Sequence, residues 1–244
     1  MHSDDTERVD HSDCSPRTPG PEESDHSGRA EMNIVVWADK GGVGKTTLAT
    51  SLAAELVAAL VDVDPQGDAA RWGAVRGFPV TVTQDRKALE ALFKKPGLRV
   101  VDCPPGQGQE AITAVGWADL LVIPARTGEA DMVALGRSLD VAQRVREVRP
   151  NVQIGLVLNL VRETGRAKGV ETALRAQAGR DYQWLGRLCA RVGAEEAYAS
   201  GRTLLQAGGA VAFEFRQVLN AVSRIVSDYY DGSDLSDHSE QSAH

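Results

Sequence analysis

The sequence predicts an α/β fold with a doubly wound, mostly parallel sheet flanked by helices. Short apolar runs alternate with amphipathic stretches, which is the pattern of parallel strands joined by helices. The apolar run at residues 34–38 leads into the glycine-rich segment 40–47, and two further runs end in an aspartate and a Pro/Gly turn, at 62–67 and 102–106. Because the carboxyl ends of parallel strands meet at one edge of a sheet, these segments should form one site.

This alternation predicts seven strands and at least five helices. The strands are expected at residues 34–38, 59–63, 80–83, 99–102, 120–124, 154–159 and 184–188. The clearest helices are expected at residues 46–57, 86–93, 131–148, 168–178 and 212–229. Pro150 should end the third helix, because proline cannot continue a helix and disfavours helical backbone at the residue before it.

The two ends of the chain differ in composition from the middle, and we expect both to be disordered acidic tails. Residues 1–30 carry a net charge of −5 and residues 229–244 a net charge of −4. Both are rich in Ser, Asp and His and poor in apolar residues. Removing them from the total of −7 leaves +2 for residues 31–228, the expected domain. Solvating extensions are the favoured interpretation, and partner-binding motifs are the alternative.

Composition argues against several classes of site. All five histidines lie in the terminal segments, so the core offers no histidine base or metal ligand. Cys14, Cys103 and Cys189 are far apart and form no C-x-x-C pair, which argues against a zinc site, an iron–sulfur cluster or a disulfide framework and favours a reducing cytoplasm. No stretch reaches the ~18 apolar residues of a membrane span, and the acidic N-terminus lacks the regions of a signal peptide.

The segment 40–47 has the chemistry of a phosphate-binding loop at the start of a helix. Its glycines let backbone N–H groups turn towards a polyphosphate, and a helix N-terminus already favours anions. Lys45 can reach the outer phosphates, Thr46 offers a hydroxyl to Mg²⁺, and Lys40 adds a second cation at the mouth of the loop. The residues expected to bind ATP here are Gly41, Gly42, Val43, Gly44, Lys45, Thr46 and Thr47.

With Lys40 before Gly-Gly and the two aspartate turns in this order, residues 32–226 resemble the ParA/MinD family of deviant P-loop ATPases. The resemblance implies the deviant Walker A, or SIMIBI, type of P-loop NTPase fold. It also implies a Mg-ATP site and a sandwich homodimer that forms on binding ATP. The short ParA proteins are the most similar branch, because nothing before the loop could form a helix-turn-helix domain.

The same resemblance assigns roles to individual residues. Lys40 would reach the nucleotide of the partner subunit, Lys45 would bind the outer phosphates, and Asp64 would orient the attacking water, so these three are the expected catalytic residues. Thr46 and Asp102 would hold Mg²⁺, the latter through water. Phosphoryl transfer of this kind depends on positioning and charge neutralisation more than on covalent chemistry.

Two departures from the family pattern lie between these motifs. Lys45 and Asp62 are separated by seventeen positions, about five fewer than the family spacing, so the first helix or the turn after it must be short. Asp68 stands where the family usually has a neutral asparagine, and its carboxylate could alter the placement of Mg²⁺ or water.

The sequence gives weaker indications of the residues that contact the base. Asn159 is placed as the adenine-contacting asparagine of the family would be, although asparagine is also common in turns after strands. Arg191 lies in a segment that resembles the loop covering the base, where it could stack on adenine or bind DNA.

Basic residues in the second half suggest nonspecific DNA as a partner. Residues 151–228 contain ten Lys/Arg against seven Asp/Glu. Cations on one face could bind phosphate backbone without reading bases, and dimerisation would double the contacts. Besides Arg191, the candidates are Arg162, Arg166, Lys168, Arg187, Arg202, Arg216 and Arg224.

The expected function is a cytoplasmic, nucleoid-associated ATPase that positions cargo, with hydrolysis resetting the dimer. Plasmid or chromosome partition is the default, with an adaptor protein, ParB-like or cargo-specific, stimulating slow hydrolysis. A protein cargo, such as a microcompartment or chemoreceptor cluster, and a weakly hydrolysing regulator remain alternatives. A membrane oscillator similar to MinD is disfavoured, because the acidic C-terminus offers no basic amphipathic anchor. A P-loop tyrosine kinase with Tyr229 and Tyr230 as its phosphorylated cluster is disfavoured because two tyrosines are few.

Overall fold

The computed structural model describes residues 31–240, and it confirms the predicted fold class and all seven strands. The strands form one sheet in the order β3-β2-β4-β1-β5-β6-β7, and every neighbouring pair is parallel. Their bounds are β1 Glu31–Val36, β2 Ala59–Asp62, β3 Val80–Val82, β4 Gly97–Asp102, β5 Leu120–Ala125, β6 Gln153–Val161 and β7 Gln183–Cys189. The expected tail at residues 1–30 lies outside the described residues.

Eight helices connect or follow these strands within the described chain. They are α1 Lys45–Glu55, α2 Asp68–Arg76, α3 Arg86–Phe93, α4 Gln109–Gly116, α5 Glu129–Val148, α6 Gly165–Gln177, α7 Val192–Ala199 and α8 Gly209–Glu240. The five predicted helices are confirmed as α1, α3, α5, α6 and α8, with changes at their ends. Helices α2, α4 and α7 are eight or nine residues long, and their apolar residues are less clearly confined to one face than those of α3, which is equally short but was predicted.

Two apolar layers hold the helices against the sheet. Side chains of α1, α2 and α8 pack on one face, with Leu48, Trp72 and Phe215 among the buried members. Helices α3 to α6 cover the other face, where Phe93 and Leu135 belong to the core. The central strands are buried on both faces, which explains why they read as continuous apolar runs rather than as alternating patterns. Among the described residues, no helix is long and apolar enough to cross a bilayer.

Helix α1 ends earlier than predicted, which accommodates the short spacing between Lys45 and Asp62. The helix stops at Glu55, two residues before the predicted end, and Val57 turns the chain with a φ of 53°. A β-branched residue rarely adopts this left-handed conformation, which glycine takes most easily. The backbone N–H of Ala58 still bonds the carbonyl of Ala53 at 2.9 Å, so β2 begins at once at Ala59.

The C-terminal helix extends beyond the predicted start of the acidic tail. Helix α8 continues to Glu240, whereas the sequence predicts disorder from residue 229. Tyr229 and Tyr230, at the predicted boundary of the tail, pack against the core face that α8 covers, and the Tyr229 hydroxyl donates a 2.8 Å hydrogen bond to the carbonyl of Glu31. These contacts anchor α8 as far as residue 230.

Candidate nucleotide-binding site

The glycine-rich loop leaves the end of β1 and wraps around the start of α1. Gly44 is the N-cap of α1 and has a φ of 87°, a conformation that favours glycine. A Cβ at Gly44 would lie 2.2 Å from Nδ2 of Asn159, and that amide nitrogen donates a 2.8 Å hydrogen bond to the carbonyl of Val43. The loop is therefore fixed both by its own backbone and by a side chain from the end of β6.

Strand pairing brings the predicted aspartates to the same edge. Asp62 on β2 is in register with Asp102 on β4. The Asp62 carboxylate accepts hydrogen bonds from the backbone N–H groups of Asp64 at 3.0 Å and Ala70 at 2.9 Å, so it holds the turn and the first residues of α2. The Asp64 carboxylate accepts one from Gln66 N at 2.9 Å and lies beside the loop. Asp62 thus has a structural role, and Asp64 faces the cavity.

Asp102 is the most unusual carboxylate of the site. It is 0% exposed, and neither of its oxygens has a hydrogen bond of good geometry. Burial raises its pKa to about 8, with the Asp62 charge adding to the shift, and the nearby Thr46 hydroxyl and Lys45 only partly oppose it. An orphaned buried carboxylate beside a threonine hydroxyl at a helix start fits a site for Mg²⁺, which prefers such oxygen ligands.

Lys45 and Lys40 occupy different environments. Lys45 is buried, and burial lowers its pKa although Asp102 and Asp64 oppose the shift. Lys40 is half-exposed, and its Nζ lies 2.5 Å from Oδ1 of Asp131 at the start of α5. The other carboxylate oxygen of Asp131 accepts the N–H of Gly128 at 3.2 Å. Within a single subunit, Lys40 is therefore held by a carboxylate on its own chain.

Two adjoining cavities lie at this edge of the sheet. The first, of about 250 Å³, is bounded by the loop, by the Asp64 turn and by Pro105. The second, of about 330 Å³, lies beside Gly44 and is largely apolar, with Leu48, Leu188, Leu204 and Val211 in its walls. The residues that line both cavities are Gly42, Gly44, Thr47 and Tyr198. The first suits phosphates, and the second has the size and character of a base site.

Of the two residues predicted to contact the base, Asn159 borders the apolar cavity and Arg191 does not. Asn159 lines the apolar cavity, but its amide is engaged by Val43, and its oxygen accepts the N–H of Leu160, which has a φ of 52°. Arg191 does not line the cavity; its guanidinium pairs with Glu214 at 2.8 Å. The structure thus shows Asn159 supporting the loop and Arg191 facing α8.

Tyr198 and Glu214 line this region but were not predicted from the sequence. Burial opposes ionisation of Glu214, yet hydrogen bonds from Arg191 and from the N–H of Cys189 more than offset it and lower its pKa. Asp68, the departure noted above, pairs with Arg71 on the same helix, which offsets its charge. No local pattern marks Tyr198 or Glu214, because the cavity forms only when α7 and α8 pack beside β6 and β7.

The basic residues predicted to contact DNA lie on several elements. Arg187 pairs with Glu163 at 3.0 Å and with Glu171 at 3.1 Å, so its charge is offset. Arg166 lies 3.6 Å from Glu129. Five of the predicted DNA contacts are exposed and form no ion pair with any described residue: Arg162, Lys168, Arg202, Arg216 and Arg224.

Known proteins share both the fold and parts of the sequence. The protein named Maintenance of carboxysome distribution protein A from Gloeobacter kilaueensis is 42% identical over 113 residues, 42% of this chain and 52% of that protein. The protein of the same name from Halothiobacillus neapolitanus is 32% identical over 135 residues, 49% of this chain and 62% of that protein. The chain thus spans about half to six-tenths of these relatives. The chromosome-partitioning ATPase Soj from Thermus thermophilus is 27% identical over 226 residues, covering 73% of this chain and 89% of that protein.

Solved structures agree on the architecture. Apo McdA from Cyanothece superposes with a TM-score of 0.64 at 17% identity, covering 78% of this chain and 99% of that chain. MinD from Pyrococcus horikoshii, complexed with Mg-ADP, gives a TM-score of 0.60 at 16% identity, covering 80% and 97%. At such identities the likeness shows the fold alone. Residues 34–204, well over half of the chain, match the model of the CobQ/CobB/MinD/ParA nucleotide binding domain. The chain therefore belongs to the CobQ/CobB/MinD/ParA family.

Proposed function

We propose that this protein is a ParA-like ATPase that binds Mg-ATP, dimerises in that state and positions a cargo, with hydrolysis resetting the switch. One observation carries the proposal: a phosphate cradle and an apolar cavity adjoin at Gly44, and the buried carboxylate of Asp102 stands unpaired beside the cradle. This is the arrangement that a nucleoside triphosphate with its cation would fill. The relatives named for partition and distribution support the choice of class.

The residues around the cradle define the chemistry. Backbone N–H groups of the loop and the Lys45 ammonium would bind the β- and γ-phosphates. Thr46 and Asp102 would hold Mg²⁺, which neutralises phosphate charge when bound. The Asp64 carboxylate is fixed in its turn by the N–H of Gln66 and faces the cavity, where it can accept a hydrogen bond from the attacking water.

Lys40 would complete the site of the partner subunit. In the single chain it is held by Asp131, so dimerisation has to exchange that ion pair for contacts with the partner's nucleotide. The pair is only partly buried, and such pairs contribute about 1 kcal/mol or less. Because this energy is small, the contacts that bound ATP makes in the dimer can shift the equilibrium from monomer to dimer. Removal of the γ-phosphate would shift the equilibrium back to the monomer.

Nonspecific DNA is the proposed surface on which the dimer is retained. Arg162, Lys168, Arg202, Arg216 and Arg224 are exposed cations with no described ion-pair partner, as phosphate contacts require. Arg166 is weakly paired, and Arg187 is the least suited of the candidates because two carboxylates hold it. An adaptor protein, ParB-like or cargo-specific, would stimulate hydrolysis.

A second candidate concerns the cargo. Plasmid or chromosome partition is the expectation from the sequence, and the relative named Soj is consistent with it. Two relatives, from Gloeobacter and Halothiobacillus, are named for carboxysome distribution, and they favour a protein microcompartment as cargo. The nucleotide cycle would be the same for either cargo.

The test is sizing of the full-length chain by analytical ultracentrifugation with Mg-ATP or Mg-ADP, followed by DNA retention of each species at low salt. We expect a dimer with ATP only, retention of that dimer on DNA, and accumulation of the dimer in Asp64→Ala because hydrolysis is blocked. Asp140→Ala, which removes an exposed carboxylate of α5, should behave as wild type and is the control. A monomer in every nucleotide state would contradict the switch, and a dimer that DNA never retains would contradict the DNA-binding part.

A further inference from the structure

Helix α7 places one aromatic side chain between the two cavities. Tyr198 is half-buried, and it is the only member of the shared lining that does not come from the loop or the first turn of α1. Its hydroxyl donates a 3.0 Å hydrogen bond to the backbone carbonyl of Asp68, the first residue of α2. The contact crosses the site and joins segments 130 residues apart.

The carbonyl that Tyr198 holds lies directly after the turn that carries Asp64. On its inner side, this turn is fixed by Asp62, which bonds the N–H groups of Asp64 and Ala70. On the cavity side, the Tyr198 hydroxyl holds the same stretch of chain at Asp68. The position of the Asp64 carboxylate therefore depends on a residue that also borders the apolar cavity.

The far end of α2 is tied independently to the segment after α7. The Arg76 guanidinium donates to the carbonyl of Gly201 at 3.1 Å and to Gln206 Oε1 at 2.7 Å. Removing the Tyr198 hydroxyl would thus leave α2 anchored at its C-terminal end and would release only the end next to the turn. We therefore expect loss of the Tyr198 hydroxyl to change the position of the Asp64 turn and to leave the rest of α2 in place.

We propose that Tyr198 is a positioning residue that couples occupancy of the apolar cavity by a nucleoside to the placement of the Asp64 turn. The proposal rests on the ATPase function proposed above. A nucleoside triphosphate that fills both cavities has to pass beside the Tyr198 ring, and contact with the ring fixes its hydroxyl on the carbonyl of Asp68. An inorganic polyphosphate fills only the cradle, which Tyr198 also borders, and leaves the apolar cavity on the other side of Tyr198 empty.

The hydroxyl acts as a hydrogen-bond donor in this role and not as an acid. Burial raises the pKa of Tyr198, with the charges of Asp68 and Asp102 adding to the shift, so the phenol stays protonated across the working pH range. Tyr198→Phe keeps the ring and removes the donor, which isolates the link to the turn from the contact with the nucleoside. Tyr229→Phe removes a similar hydroxyl-to-carbonyl bond at the opposite end of the sheet and is the matched control.

The experiment uses the full-length chain with Mg-ATP and with inorganic tripolyphosphate. For Tyr198→Phe we expect kcat for ATP to fall about tenfold while the Kd for ATP stays within twofold, because the lost bond positions Asp64 and not the ligand. Amide hydrogen exchange of residues 64–70 should slow when ATP binds to wild type, and this protection should be lost in the variant. Tripolyphosphate should give little protection in either protein, and Tyr229→Phe should match wild type.

Three outcomes would overturn the inference. They are unchanged kcat and protection in Tyr198→Phe, a weakened ATP affinity with unchanged kcat, and equal protection by tripolyphosphate and ATP in wild type. If wild type binds ATP but hydrolyses none, the proposed ATPase function fails, and the exchange measurement alone decides the role of Tyr198. If wild type shows neither binding nor protection by ATP, both proposals are contradicted.

Discussion

The phosphate side and the base side of the site differ in how their polar groups are satisfied in the isolated chain. On the phosphate side, neither Asp102 oxygen has a hydrogen bond of good geometry, and burial raises the pKa of Asp102 while it lowers that of Lys45. On the base side, Glu214 accepts hydrogen bonds from Arg191 and from the N–H of Cys189, and its pKa is lowered. The phosphate side is thus incomplete without a ligand, whereas the base side is already satisfied.

This difference matters because a buried carboxyl without a partner loses its hydration on folding, and burial keeps it mainly protonated at neutral pH until a cation binds. Free energy lost in the empty phosphate site is recovered when a cation and phosphates bind, so ligand binding and folding are linked there. The base side offers a preformed apolar surface and gains chiefly from burial. Substitutions on the phosphate side should therefore have large effects, and those in the polar rim of the base side should have small ones.

The largest effect is expected for Gly44→Ala. The new Cβ would lie 2.2 Å from Nδ2 of Asn159, so the loop or the amide would have to move, and an alanine at a φ of 87° adds about 1–2 kcal/mol of strain. Loss of the bond from Asn159 to Val43 adds a similar amount. If both costs fall on the nucleotide-bound state, ATP binding should weaken about 30- to 1,000-fold, measured by fluorescence titration with a labelled nucleotide.

Gly169→Ala is the control for that substitution. Gly169 lies within α6 with open space around its Cα, so an alanine should leave nucleotide binding unchanged and raise the free energy of unfolding by about 0.5–1 kcal/mol. A Gly44→Ala variant that binds ATP as wild type does would show that the loop geometry is not the basis of phosphate binding.

The second prediction concerns the pH dependence of stability without ligand. Because the pKa of Asp102 is raised to about 8 in the folded chain, this carboxyl contributes stability that is lost as pH rises through that value. Between pH 6 and pH 8, in EDTA, wild type should lose about 2 kcal/mol of unfolding free energy from this group, and Asp102→Asn should lose that much less. Urea denaturation followed by circular dichroism measures the difference, with Asp140→Asn as the exposed control. Parallel pH profiles for wild type and Asp102→Asn would show that folding does not raise the pKa of Asp102.

The two sides also differ in how far the sequence predicts them. On the phosphate side, the sequence indicated which residues come together, because one continuous segment supplies the loop, and strands β2 and β4 end in aspartates that their register aligns. The roles of these residues stay predictions. The base side draws on residues between Asn159 and Glu214, which become neighbours only after α7 and α8 have packed. Local patterns carry no information about such contacts, so Tyr198 and Glu214 were not predicted.

The same limit explains the other differences between prediction and structure. Lys40 was identified, but its partner Asp131 is 91 residues away, and nothing near either residue indicates the pair. The Tyr229 hydroxyl bonds the carbonyl of Glu31, 198 residues away in the sequence, and no local pattern indicates that α8 is anchored at the predicted boundary of the tail. Elements defined by a long apolar run, such as β5 and β6, needed no such information and were predicted well.

The smallest effect is expected on the base side, for Arg191→Ala. From the sequence, Arg191 could stack on adenine or bind DNA; in the structure its guanidinium pairs with Glu214 and does not line the cavity. Glu214 would keep its bond from the N–H of Cys189 at 2.8 Å, so the cavity wall should persist and the Kd for ATP should rise only about twofold.

Arg175→Ala removes another exposed arginine that pairs with a carboxylate, Glu171, away from both cavities, and it controls for the loss of surface charge. Titration of ATP and of tripolyphosphate against both variants shows whether Arg191 stays paired with Glu214 or contacts the base when the nucleotide binds. A loss of tenfold or more for ATP, with tripolyphosphate binding unchanged, would show that Arg191 turns from Glu214 to the base when the nucleotide binds. Polar groups on the base side would then also change partners when the ligand binds. The two sides would differ only in the buried Asp102 carboxyl, which has no equivalent on the base side.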